Sequence, residues 1–192
     1  MKKVRVQRER SFCPHHILLD VAYTALKHAE SKPHGWFHYE IMAIIFSALA
    51  LEAMANAFGE KLISRWEDIE RASPIRKLRV VCTNLKIEAQ FDQEPWFTAR
   101  WLVSFRNEVA HARPEPVKEE KMVTDEQYEQ MRLERPASKI EAQVTLANAK
   151  RSFAAVSQIG YILCEKLSPK DIEGLLADGW TSRATHIPDD NQ

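Results

Sequence analysis

The chain has 192 residues, 45% of them hydrophobic and 28% charged, the balance of one globular domain with a core large enough to stand without disulfide staples. Its 27 basic and 27 acidic residues cancel, so no global positive field holds nucleic acid, and a nucleic-acid role needs a local basic site or one shared between subunits. Three cysteines, Cys13, Cys82 and Cys164, lie far apart with no C-x-x-C, which argues against a disulfide framework or a zinc site and for a reducing compartment.

Residues 1–11 are charged and aperiodic and read as a flexible N-terminal arm. No apolar segment follows the basic start, so no signal peptide is expected and the location expected is cytoplasmic. Residues 12–179 read as a single helical domain. A first helix from Pro14 to about Ser31 places Ile17, Leu18, Val21, Ala22 and Ala25 on one face, and Lys32-Pro33-His34-Gly35 breaks it. A second, from about Trp36 to Phe58 with Gly59 as its stop, is apolar almost all round, the mark of a central buried helix. Its longest uncharged run, Ile41 to Leu51, is too short to span a bilayer, and Glu52 interrupts it. Ser73-Pro74 opens a third helix expected to reach about Ala89, after one possible turn around Trp66. Glu94-Pro95 opens a fourth, which Pro114 ends near His111.

An exposed loop is expected from Arg113 to Val123, its Lys118-Glu119-Glu120-Lys121 run solvated. Thr124-x-x-Gln127 caps a short polar helix that Pro136 ends, and Ser138-x-x-Glu141 caps a long one to about Leu167. Ser168-Pro169 starts a last short helix closed by Gly179, and residues 180–192 form a polar C-terminal tail. With no internal repeat and no alternating strand pattern, the fold expected is all-α, an antiparallel helical bundle of four to five main helices plus short ones.

Two features of this bundle call for chemistry. Glu52 is the one ionisable residue between Met42 and Phe58. An unpaired carboxylate there costs several kcal/mol (~2–7 on transfer scales for polar groups, more for a charge), so Glu52 needs a partner, and Arg106 or a group beside it is expected to supply one. Asn56 lies one turn on, on the same face. The pair reads either as a buried salt bridge fixing helix register or as the polar wall of an active site.

The second feature is Arg106-Asn107-Glu108-Val109-Ala110-His111. Asn107 and His111 share a face, whereas Arg106 points roughly 140° away from His111 and reaches the same site only by curling its long side chain. An imidazole in the last helical turn can give or take a proton near neutral pH. These residue types match the needs of RNA cleavage. The 2′-OH is an internal nucleophile, so neither a protein nucleophile nor a metal is obligatory. A base takes its proton, an acid protonates the leaving 5′-oxygen, and a cation stabilises charge at phosphorus. His111 suits either proton transfer, Arg106 the charge, and Asn107 the orienting of His111 or of phosphate. One His does not easily perform both transfers; two copies facing each other across a dimer divide them.

At these residues the chain resembles the HEPN superfamily (higher eukaryotes and prokaryotes nucleotide-binding domains). The family's hallmark is an Arg, four to six residues, then His, often with Asn after the Arg, and Arg106-Asn107-x3-His111 fits it. Leu51-Glu52-Ala53-Met54-Ala55-Asn56 looks like the family's acidic element in a preceding buried helix. The resemblance covers roughly residues 36–113. It implies an all-α bundle, a homodimer whose two Arg and two His line one cleft, and a metal-independent ribonuclease without cofactor, acting in a toxin–antitoxin or other defence setting with a possible antitoxin partner. Other members have lost catalysis and bind nucleotide, RNA or protein. Arg113 stands where one branch carries the Tyr that its nucleotidyltransferase antitoxin modifies, so that pairing is not implied.

Other polar and aromatic groups have plainer readings. His34 and His38 share a helix face but lack a third ligand, and read as a solvated helix start. His15 and His16 read as N-terminal polar residues. Trp96, Phe97, Trp101 and Phe105 fall at helical spacing and read as core or dimer interface rather than base-stacking platforms.

Overall fold

The structure is a computed structural model that describes residues 4–10, 12–31, 34–132, 134–172, 175 and 180–186. It is mostly helical: α1 (Pro14–Glu30), α2 (Trp36–Leu62), a short 3₁₀ turn (Trp66–Asp68), α3 (Pro74–Asn84), α4 (Trp96–Ala110), α5 (Asp125–Met131), α6 (Lys139–Gln143), α7 (Leu146–Cys164) and α8 (Pro169–Ile172). Two strands, β1 (Val4–Arg10) and β2 (Trp180–His186), pair antiparallel.

Helix α2 is the axis of the bundle. It packs against α1, α3, α4 and α7, which explains why its apolar residues are not confined to one stripe. By length and composition alone α2 could cross a membrane, yet Ala43, Ile44, Leu51, Met54 and Phe58 are sealed among its neighbours. Leu78 of α3, Leu102 and Phe105 of α4, and Ile159 and Leu163 of α7 complete the core. Helices α1 and α2 pack closely against each other, with the rings of His28 and Tyr39 stacked 5.2 Å apart. The buried stripe of α1 is His15, Ala22, Ala25, Leu26 and Ala29. Ile17, expected inside, is 46% exposed, so the true stripe is rotated toward Leu26 and Ala29.

Gly59 does not stop α2, which runs on to Leu62. The glycine serves packing: a Cβ there would overlap the indole ring of Trp66, the 3₁₀ residue folded back on the helix. Gly59→Ala must expel or shift that buried ring, and its expected cost is about 1–3 kcal/mol, read as a lowered thermal midpoint. Trp66→Leu should relieve most of the added cost.

Capping fixes the other boundaries. Ser73 accepts from the Arg76 amide with Pro74 at the first position of α3. This helix closes five residues before the expected Ala89, because Lys86 adopts φ 57° and the Ile87 amide returns to the Cys82 carbonyl at 2.8 Å. Thr124 and Ser138 form the two expected capping boxes. Helix α5 buries no residue and ends at Met131, ahead of Pro136. The long helix expected from Ser138 is two helices. Val144 is extended and buried, Thr145 caps α7 by accepting from the Asn148 amide, and the Asn148 side chain donates to the Gln143 carbonyl at 2.7 Å. Helix α8 begins at Pro169 as expected; its expected end at Gly179 lies outside the described residues.

Glu40 of α2 is 3% exposed, meets the Leu146 amide at the start of α7, and leaves Oε2 without a hydrogen bond among the described residues. Burial holds its carboxyl above the usual carboxylate range, against the smaller downward pull of the Leu146 hydrogen bond. A carboxyl raised on folding contributes stability below its unfolded pKa that is lost as pH rises through the folded value. Glu40→Gln keeps an acceptor for Leu146 and removes the titration, so it should flatten the decline of stability above the ordinary carboxylate range, measured by urea unfolding between pH 4 and 8.

The terminal expectations need correction. Residues 4–10 are a strand rather than a frayed arm, and residues 180–186 are its partner rather than a structureless tail. His15 and His16 both donate from Nε2 to the Leu175 carbonyl, at 3.1 and 2.8 Å, a structural role that ties the start of α1 to Leu175.

Candidate functional site

The polar site is built where α2, α3 and α4 meet. Glu52 projects from the otherwise apolar α2, and its Oε2 accepts a hydrogen bond from Nη2 of Arg106 on α4. Arg106 uses Nη1 to donate to the side-chain oxygen of Asn107 at 2.9 Å. Glu52 and Arg106 are each 28% exposed, so the pair sits at the rim of the core, with one side dry and one side open. The expected partnership of Glu52 with Arg106 is present.

A third charge joins them. Lys77 of α3 lies with its Nζ 4.0 Å from Glu52 Oε1, and its side chain is only 5% exposed. One carboxylate thus stands between two cations, leaving the cluster with a surplus positive charge. Lys77 escaped sequence reasoning, although a signal exists: on the α3 helix it falls four residues before Val81 and beside Leu78, on the buried stripe. A lysine on an apolar stripe requires a buried acid, and α2 offers Glu52.

The remaining expected site residues divide. Asn107 is exposed; its side-chain oxygen is committed to Arg106, and its backbone carbonyl receives the His111 amide at 3.0 Å. Asn107 therefore buttresses Arg106 rather than the imidazole. His111 is the C-cap of α4, exposed, at the negative end of that helix. No described residue hydrogen-bonds its ring, which is thereby open to a ligand. Asn56 is not drawn into the cluster: its Oδ1 is buried and has no hydrogen bond among the described residues.

Aromatic packing holds α4 in place behind the site. Phe105 and Trp96 are core residues, and Trp101 stacks on Phe105 with ring centroids 5.2 Å apart. Arg151 of α7 covers Trp101 at 5.0 Å, and the indole donates to Gln143, which in turn donates to Glu108. Phe97 alone of the four aromatics is largely exposed, at 46%.

Burial pushes the Cys82 thiol up to about 12 and raises Cys164 as well, away from the reactive thiolate. Among the described residues no three His, Cys, Asp or Glu side chains gather as a metal site, and His38 turns its Nδ1 to the Gly35 carbonyl. Cavities elsewhere, of about 290 Å³ beside Arg79 and Phe91 and about 280 Å³ between Ile17 and Met42, do not include Arg106 or His111, so these two groups do not share either enclosure.

No known protein family, curated protein or solved structure matches the chain.

Proposed function

We propose that this chain is a HEPN-like, metal-independent endoribonuclease whose complete active site forms across a homodimer, acting in a defence or toxin–antitoxin setting. The observation that supports it most is the Glu52–Arg106 pair with Lys77 behind it. An arginine held by a carboxylate, in a cluster with surplus positive charge, suits a phosphodiester. The exposed imidazole at the end of the same helix suits proton transfer.

The 2′-oxygen attacks phosphorus while an imidazole takes the 2′-OH proton. The P–O5′ bond breaks as a second, protonated imidazole gives its proton to the leaving oxygen. One fragment ends in a 2′,3′-cyclic phosphate and the other in a free 5′-OH. Arg106, kept in place by Glu52 and Asn107, stabilises the charge on the phosphoryl oxygens. Each chain supplies a single His111, so the two proton transfers call for two chains, with the α4 ends facing one another.

Purified protein should cleave single-stranded RNA in the presence of EDTA and leave cyclic-phosphate ends. Products ending in 5′-phosphate, or no cleavage of any RNA offered, would contradict this reading. In that event the second reading stands, a non-catalytic HEPN-like module binding nucleotide, RNA or a partner protein. It is favoured by the His111 ring, which no described neighbour orients.

A further inference from the structure

We propose that the terminal β-ribbon is a binding arm for single-stranded RNA, separate from the helix end at His111. Every residue of β1 is exposed, as are residues 180–185 of β2. A two-stranded ribbon exposed on both faces is at most marginally stable by itself in water, so this element lacks the apolar burial that ordinarily justifies a sheet. Its composition supplies another purpose. Two seven-residue strands hold Arg5, Arg8, Arg10 and Arg183 against one carboxylate, Glu9. In a chain whose charges cancel as a whole, the ribbon is a local concentration of positive charge, the feature a neutral protein needs to hold a polyanion.

The register adds aromatic groups among the cations. Arg10 lies directly opposite Trp180, and Arg8 opposite Ser182, so these four share a face. Trp180 is 69% exposed, and Phe12, 56% exposed, lies under the Arg10 guanidinium at 5.3 Å. Arginines interleaved with solvent-facing aromatic rings match a strand whose phosphates alternate with stackable bases. On the other face Gln7 pairs with Arg183 and Arg5 with Thr185. Among the described residues no carboxylate pairs with Arg5, Arg8 or Arg183. A second copy of the ribbon carries the same surplus of positive charge and is therefore a poorer occupant than a polyanion. The choice of RNA rests on the reading of the helix end given above.

The test uses the full chain with His111→Ala, so that the probe survives, and measures anisotropy of a fluorescent single-stranded RNA across a salt series with EDTA present. Arg5→Gln/Arg8→Gln/Arg183→Gln should weaken binding on the order of tenfold and reduce the slope of log affinity against log salt by about 2. Trp180→Ala should weaken it about tenfold with the slope unchanged. Thermal midpoints should not move, since the replaced side chains are exposed. Unchanged RNA affinity and slope in the triple variant would overturn the proposal, as would a triple variant that loses only self-association or binding to anionic vesicles. Cleavage of a trinucleotide by the same ribbon variants with His111 intact separates the two ideas. If ribbon variants cut it normally yet lose long RNA, both stand. If wild type binds long RNA through the ribbon but cuts nothing, only the nuclease reading fails.

Discussion

Glu52→Gln should lower stability by about 2–3 kcal/mol, which for a chain of this size is a fall of roughly 5–10 °C in thermal midpoint. The substitution keeps the shape of the side chain and removes the charge between Arg106 and Lys77. A fully buried pair broken in this way costs about 3–5 kcal/mol; Glu52 and Arg106 are each 28% exposed, and water recovers part of that. Most of the loss falls on Lys77, whose side chain is only 5% exposed and is poorly hydrated once its partner's charge is gone. Glu52→Gln combined with Lys77→Met should therefore be more stable than Glu52→Gln alone. A double variant no better than the single one would show that Lys77 does not depend on Glu52. Differential scanning calorimetry at neutral pH reads both outcomes.

The second large effect is on rate. Removing a positioned general acid or base costs about 10²- to 10⁴-fold, so His111→Ala should reduce RNA cleavage by that factor while leaving stability nearly unchanged, because the side chain is exposed. Arg106→Ala should cost about 10²- to 10³-fold, the usual penalty for losing a donor to transition-state charge, and Arg106→Lys should restore little, since a lysine ammonium cannot bridge Glu52 and Asn107 as the planar guanidinium does. A His111→Ala protein that cleaves like wild type would remove the helix end from the chemistry.

Much of this site is legible in the amino-acid sequence for a physical reason. A carboxylate alone on an apolar helix demands a partner, and Arg106 on the next long aromatic helix is an available one; the structure joins them. Helix starts were legible as well, since Ser73, Thr124 and Ser138 carry their capping chemistry within three residues. What eluded the sequence depends on partners distant along the chain. Gly59 reads as a helix stop until Trp66 is seen against it. Lys77 shares the buried stripe of its helix with Leu78 and Val81, but its partner Glu52 lies on another helix. The break at Val144–Thr145 hides inside a continuous apolar pattern, because Val144 stays buried while leaving the helix. The ribbon is the hardest case. Its strands lie at opposite ends of the chain, and neither buries a face, so the alternation that betrays a half-buried strand is absent.

The shared site is the central claim, and one titration tests it most directly. Wild type and His111→Ala are mixed at varied ratios, allowed to exchange subunits, and assayed for cleavage of one labelled RNA in EDTA. If each site needs His111 from both chains, activity should fall as the square of the wild-type fraction. A linear fall would mean that one chain suffices, and activity independent of the ratio would mean that His111 takes no part.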